Sequence, residues 1–141
     1  LGSVFIRGIS TVEVNGSTLT ICLTHPLPPI SGTYAEFRNK HLIRLAKFSQ
    51  RAPDRFIIVG DLNTTNWNYW FNRVLEDGDL NDSMVGSGLQ STWPTFSKSL
   101  AIPLDHFLYK SGVHVLSRSV KGNCGSDHAS LSIEFEILTL N

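Results

Sequence analysis

Asp127-His128, following Ser126 near the end of the chain, is a pair of side chains that can move protons. An imidazole titrates near neutrality, so it can take a proton from water or carry charge during phosphoryl transfer. It needs a carboxylate behind it to fix its tautomer. Asp105, in Leu104-Asp105-His106-Phe107 beside another apolar run, is the best candidate. Asp127 is the sequence neighbour of His128 and faces the other way on extended backbone, which leaves it free to meet a metal ion or its water. A third pair, Asp61 and Asn63 in Val59-Gly60-Asp61-Leu62-Asn63, closes a further apolar run. Two residues apart on extended backbone, they project in the same direction. Asp61 is then a ligand for a hard cation such as magnesium, and Asn63 an amide that positions a phosphate or the attacking water. Acid, amide and imidazole gathered in this way are the layout of a hydrolytic site fed by several strands.

Each residue also has a plainer reading. Gly-Asp-x-Asn serves equally well as an Asx turn that caps a following helix, and a lone Asp-His pair is more often structural. His25 is assigned phosphate contact or assistance to the leaving group, with a simple loop residue as the even alternative. His41 and His106 read as packing residues, and His114 has no evident partner. Trp93, after Thr92, either walls a cleft or anchors a loop, whereas Trp67 and Trp70 are expected to pin a short helix. Ser126 does not read as a nucleophile, because consecutive Ser-Asp-His does not meet the geometry of a triad.

The elements that must position these side chains follow from pattern. Residues 9–14 and 18–23 read as two strands joined at Asn15-Gly16, a dipeptide that accepts positive φ, and the second delivers Thr24-His25-Pro26 to its end. Pro26, Pro28 and Pro29 interrupt regular structure. Ser31 or Thr33 then caps a helix over 34–49, with Phe37, His41, Leu42, Leu45, Ala46 and Phe48 on one face and Arg38, Lys40, Arg44 and Lys47 mostly away from it. The unalternating run Phe56-Ile57-Ile58-Val59 predicts a strand covered on both faces. A short helix over 67–75 ends near Gly78, and the polar, Gly/Ser-rich stretch 77–93 reads as a long loop of the kind that carries function. Strands follow over 103–109, 113–119 and 131–138, the first two joined across Ser111-Gly112.

The whole chain bounds these readings. Its 141 residues suit one domain with a sizeable core. Twelve Lys+Arg balance twelve Asp+Glu, so no basic field holds long polyanions nonspecifically. Two cysteines, Cys22 and Cys124, make no disulfide framework and leave the redox compartment open. No apolar run approaches the length of a membrane span, and the first residues carry no signal-peptide pattern.

Gly60-Asp61-Leu62-Asn63, Thr92-Trp93, Leu104-Asp105-His106 and Ser126-Asp127-His128, in this order and spacing, resemble the endonuclease/exonuclease/phosphatase superfamily, and its bacterial DNase I-like members in particular, some of which are tethered by upstream membrane helices. The resemblance implies an α/β fold, part of a DNase I-like four-layered sandwich of mostly antiparallel or mixed sheets with outer helices. It implies hydrolysis of a phosphoester, foremost a phosphodiester such as nucleic acid, by direct attack of water with Mg2+ or Mn2+. By motif, Asp61 and Asn63 correspond to the acid and amide near the scissile phosphate, Asp105 to the partner of the catalytic His, Asp127 to the acid beside the metal and His128 to the catalytic His. His25 resembles the histidine at the end of a central strand in the DNase-like branch. The family's domain is usually much longer, and its first half supplies an Asn and a metal-binding Glu that nothing here matches: Glu13 lies in the first hairpin and Glu36 in the first helix. Residues 1–141 are therefore expected to be the C-terminal portion of one domain, weakly active or inactive alone, with the N-terminal half as partner and exposed sheet edges prone to self-association. The rival expectations are a phosphomonoesterase, a sphingomyelinase-like lipid phosphodiesterase, or a noncatalytic binding module that keeps the fold.

Overall fold

A computed structural model describes residues 7–123 and 125–139. Cys124, and with it any pairing to Cys22, lies outside the described residues, while Cys22 is buried in the core. Strands β1 (Arg7–Val14) and β2 (Ser17–Thr24) form an antiparallel hairpin. The turn works because Asn15 and Gly16 adopt φ of 51° and 75°, the left-handed values a tight hairpin requires. Helix α1 (Gly32–Gln50), capped by the Ser31 hydroxyl, carries the chain to β3 (Phe56–Asp61), which pairs parallel to β2. A parallel neighbour needs such a crossover, and α1 supplies it. Helix α2 (Tyr69–Gly78) follows, then the two-residue β4 (Asn81–Asp82) and β5 (Asp105–Tyr109), completing a sheet of order β1-β2-β3-β5-β4. Strands β6 (Val113–Asn123) and β7 (Ala129–Ile137) form a separate antiparallel pair.

The larger sheet is covered on both faces along β2, β3 and β5, as the unalternating run at 56–59 requires, while β1 stays exposed. On one face, Cys22, Phe56, Ile58 and Leu108 pack against Leu42 and Leu45 of α1 and Phe71 and Val74 of α2. On the other, Leu19, Ile57 and Phe107 meet Val113 and the half-buried Leu131, Ile133, Phe135 and Ile137 of the second sheet. The result is a mixed α/β sandwich whose antiparallel and mixed sheets are flanked by helices.

Several expectations need correction. The stretch 77–93 is not wholly loop: α2 runs to Gly78, and β4 adds an edge strand paired to β5, too short to leave an alternating signature. The turn at Ser111-Gly112 leads from one sheet into the other. A Cβ on Gly112 would lie 2.7 Å from the backbone of Asp54, so that crossing needs bare backbone. Arg38 is buried on the same stripe of α1 as His41, Leu42 and Leu45 instead of facing away. Trp67 is largely exposed, whereas Trp70 packs against the core.

Candidate active site

The ends of β2 and β3 bring His25 and Asp61 together. At Gly60 the backbone takes φ of 149°, and a Cβ there would sit 1.9 Å from the Thr24 carbonyl oxygen. Only glycine lets β3 press this closely on the end of β2. Just beyond, His25 Nε2 lies 3.4 Å from Asp61 Oδ2.

Asn63 does not continue the strand. Its φ of 48° is left-handed, so the extended geometry that would have aimed Asp61 and Asn63 the same way does not persist. The segment is an Asx turn: the Asn63 N–H donates to Asp61 Oδ1 at 2.7 Å. The Asn63 side-chain amide donates to the Pro26 carbonyl at 2.9 Å, and Arg38 Nη1 donates to the Asn63 carbonyl at 2.7 Å. Turn formation and access to the pocket coexist, since both Asp61 and Asn63 line it.

A second device joins the starts of β5 and β7. The Thr92 hydroxyl, buried, accepts from the N–H groups of Leu104 and Asp105, both at 3.2 Å, and the Thr92 carbonyl accepts from the Ala129 N–H at 2.8 Å. One residue thus ties the segment carrying Asp105 to the segment carrying His128. His128 Nδ1 lies 2.7 Å from Asp105 Oδ2, and Nε2, on the opposite side of the ring, lies 3.8 Å from Asp61 Oδ2. With Asp105 as acceptor, Nδ1 carries the proton and Nε2 faces the pocket as the free nitrogen.

Asp127 meets neither imidazole nitrogen. Its carboxylate accepts from Trp93 Nε1 at 3.1 Å, so Trp93 walls the pocket and holds Asp127 at once. Ser126 Oγ accepts from the His128 N–H at 3.1 Å, a local turn contact. His106 is buried against Phe71, with ring centroids 4.5 Å apart, and its Nε2 donates to the Thr64 carbonyl at 2.8 Å. Burial lowers its pKa and keeps the ring neutral. His41 is buried beside the Thr24 hydroxyl at 3.0 Å, and His114 is exposed on β6.

The charges are mutually tuned. Burial raises the Asp61 pKa; the Asn63 N–H pulls it down, Asp105 pushes it up, and His128 and His25 pull it down, with an upward balance. For His128, burial acts downward, but the hydrogen bond to Asp105 and the charges of Asp105, Asp61 and Asp127 outweigh it and raise the pKa. Asp61, Asn63, His25, Asp127 and His128 line a pocket of about 650 Å³, with Asp105 behind His128.

Among the described residues, no group of three or more His, Cys, Asp or Glu side chains is placed to hold a metal ion. The donors that are present fit an ion that takes few protein ligands. Asp61 is a carboxylate whose negative charge is penalised by burial and by Asp105, and Asp127 is a second carboxylate on the same pocket. Magnesium is bound through one or two carboxylates with water and substrate oxygens completing its shell, so this donor set suits it.

Two residues that hold the site were not singled out from sequence. Arg38 anchors the Asn63 turn, and its place at three, four and seven residues before His41, Leu42 and Leu45 was the available signal. Arg118 is buried and donates to Ser83 Oγ at 2.7 Å and to the Asp105 carbonyl at 3.3 Å. Nothing local in the β6 sequence signals that long-range contact.

Residues 2–128 match the model of the Endonuclease/Exonuclease/phosphatase family. None of the curated proteins matches the sequence. Among solved structures, the fold is similar to an endonuclease/exonuclease/phosphatase from Beutenbergia cavernae, at 18% identity and TM-score 0.76, covering 92% of this chain and 38% of that one. It is also similar to the human Nocturnin catalytic domain with bound sulfate, at 22% identity and TM-score 0.73, covering 95% and 53%. A third similar structure is D. rerio TDP2 complexed with a single-strand DNA product, at 21% identity and TM-score 0.68, covering 91% and 60%. The chain therefore spans between 38% and 60% of the length of these three structures.

Proposed function

We infer, from the premise that this chain belongs to the endonuclease/exonuclease/phosphatase family, that its site serves metal-dependent hydrolysis of a phosphoester, foremost a phosphodiester such as nucleic acid. The observation that carries this reading is the 2.7 Å contact between His128 Nδ1 and Asp105 Oδ2, which leaves Nε2 facing a pocket shared with Asp61, His25 and Asp127. Asp105 accepts the Nδ1 proton and fixes the ring, and the neutral His128 takes a proton at Nε2 from the attacking water. The water oxygen bonds to phosphorus, the ester P–O bond breaks, and the departing oxygen takes up a proton, with His25 contacting the phosphate or assisting that departure. Asn63 positions the phosphate through the amide hydrogen not given to Pro26. Asp61 and Asp127 would hold Mg2+ or Mn2+, which when bound offsets negative charge on the phosphoryl oxygens.

The same reading treats residues 1–141 as the C-terminal portion of a longer domain. Its support is the coverage, nearly all of this chain against 38–60% of its structural relatives, and the incompletely covered inner face of β7. The remaining portion would complete the metal's surroundings, and the bacterial membrane tether expected from the resemblance would belong to it. No helix among the described residues is long and apolar enough to cross a membrane.

The dyad makes a specific pH prediction. Neutral His128 is the working form and its pKa is raised by Asp105, so the rate of phosphodiester hydrolysis climbs through an inflection displaced upward from the ordinary histidine value. Asp105→Asn removes the negative charge that raises it and leaves at most a neutral hydrogen bond, so the inflection moves to lower pH while the maximal rate falls by about 10²–10⁴. A chromogenic phosphodiester assayed across pH with magnesium, in a form extended upstream to a full-length domain, checks both; an unmoved inflection in Asp105→Asn contradicts the assignment.

A further inference from the structure

We propose that Arg118 is a positioning residue for the dyad: reaching across from β6, its guanidinium holds the backbone of Asp105 and thereby keeps the Asp105 carboxylate on His128 Nδ1. The proposal rests on the reading of His128 as the group that takes a proton from water.

Asp105 needs such a restraint. In the antiparallel pairing of β3 with β5 it lies directly opposite Asp61, which sets two carboxylates side by side on one face of the sheet. Burial is the larger reason the Asp61 pKa is raised, and the Asp105 charge adds to it. The His128 ring spans the pair, with Nδ1 2.7 Å from Asp105 and Nε2 3.8 Å from Asp61. Repulsion favours any rotamer of Asp105 that leaves Asp61, so its hold on Nδ1 depends on how firmly its backbone is placed.

That backbone is held on both sides. The Thr92 hydroxyl accepts from the Asp105 N–H at 3.2 Å, and Arg118 Nη2 donates to the Asp105 carbonyl at 3.3 Å. The same guanidinium donates from Nη1 to Ser83 Oγ at 2.7 Å and from Nε to Gln90 Oε1 at 3.1 Å. Gln90 Nε2 returns a bond to the Arg118 carbonyl at 3.1 Å. Arg118 therefore joins β6 and the segment 83–90 to the first residue of β5, and Thr92 follows two residues beyond Gln90.

A bulge in β6 turns this side chain inward. Val113 and Val115 face the core, so a regular strand would continue with residues 117 and 119 and put Arg118 on the outside. Instead the register slips between the pairs Val115–Phe135 and Ser117–Glu134, where two residues of β6 oppose one of β7. Leu116 is left 53% exposed, Ser117 stays outside, and Arg118 is 7% exposed. Re-aiming a side chain is what such a bulge does.

Stability alone does not account for a guanidinium here. Burial works against its charge, while the fields of Asp82 and Asp105 favour it, and its three hydrogen bonds go to neutral oxygens. An apolar side chain would pack as well. It would not supply a rigid donor fork that joins three segments at the dyad.

Nitrogen-15 NMR of the imidazoles in the 141-residue chain, at alkaline pH where the rings are neutral, tests this through the ratio of the Nδ1–H to the Nε2–H form of His128. The Nδ1–H form should predominate in the parent chain. Arg118→Met should lower the ratio about tenfold or more, and Arg118→Lys, which restores a charge without the fork, should recover part of the loss. Gln90→Ala, which removes the acceptor of Nε, should lower it about twofold or more. The exposed His114 of β6 and a thermal melt report on the fold itself. A merely structural Arg118 would lower the melting temperature and leave the His128 ratio at its parent value; that result in Arg118→Met, or in Gln90→Ala where Arg118→Met does not fold, overturns the proposal. In a form extended upstream to a full-length domain, Arg118→Met should lower kcat for a chromogenic phosphodiester about tenfold or more while KM stays within about twofold. An unchanged kcat overturns the proposal alone, whereas no hydrolysis by the extended parent overturns the phosphoester reading with it.

Discussion

Asp61 is the residue at which function opposes stability. Its pKa is raised by burial, against the Asn63 N–H, with Asp105 adding to the rise and the two histidines reducing it. A carboxyl whose folded pKa exceeds its unfolded value costs nothing while both states are protonated, and costs most once the pH exceeds the folded value. Asp61→Asn should therefore raise the melting temperature at alkaline pH, with the difference vanishing in acid where the carboxyl is protonated in both states. Calorimetric melting without added metal checks this; a lower melting temperature for Asp61→Asn at high pH contradicts it. His128 has the opposite sign. Its raised pKa contributes stability that is present below the ordinary histidine value and is lost as pH rises through the folded one. The acids and imidazoles of the site were legible as residue types because few other side chains do this chemistry. The partner of each was legible only where the motif names it, as with Asp105 and His128. The engagement of Asp127 by Trp93 depends on a loop conformation that no local pattern encodes.

At the scale of elements, the site is held by three local arrangements, two of them with a stated cost. Gly60→Ala would put a Cβ 1.9 Å from the Thr24 carbonyl, forcing β2 and β3 apart where they present His25 and Asp61. We expect a loss of about 2 kcal/mol or more in a denaturant titration. Arg38→Ala strips the Asn63 carbonyl of its donor in a buried setting, at a cost of about 1–3 kcal/mol in the same titration. A change below about 0.5 kcal/mol in either would show that these contacts do not hold the turn. Thr92 is the third, since its hydroxyl and carbonyl fasten β5 to β7. Strand and helix types were readable from periodicity, and the hairpin from Asn15-Gly16. Asp61 and Asn63 would project together only if the strand persisted; the left-handed φ at Asn63 ends it and leaves the Asx turn that Gly-Asp-x-Asn also offered. Arg38 was misassigned because a cation on a helix reads as solvated until a buried carbonyl recruits it. The edge strand β4 was missed because two residues leave no period.

At the scale of the whole molecule, the sandwich is unequally covered. Strands β2, β3 and β5 of the larger sheet are packed on both faces, yet β7 meets them with Leu131, Ile133, Phe135 and Ile137 only half buried, and Val12 and Leu23 toward the other margin are 41% and 52% exposed. Such a surface together with open strand edges recruits either the rest of a longer domain or a second copy of the chain. Sedimentation velocity of the 141-residue chain should thus reveal concentration-dependent association, and a monomer at every concentration would contradict that expectation. The class of fold was legible because strands, crossover helix and motif order agree, while the division of β5 and β6 between two sheets was not, since a tight turn reads the same within a sheet as between sheets. The most direct test of the central claim is hydrolysis of a chromogenic phosphodiester with magnesium or manganese, measured for this chain and for a form extended upstream by the remainder of its domain, each with its His128→Ala counterpart. The account predicts turnover in the extended form, weak or no turnover in the 141-residue chain, and a loss of about 10³-fold or more in His128→Ala. Turnover in the extended form that is unaffected by His128→Ala, or no turnover in either form, would contradict it.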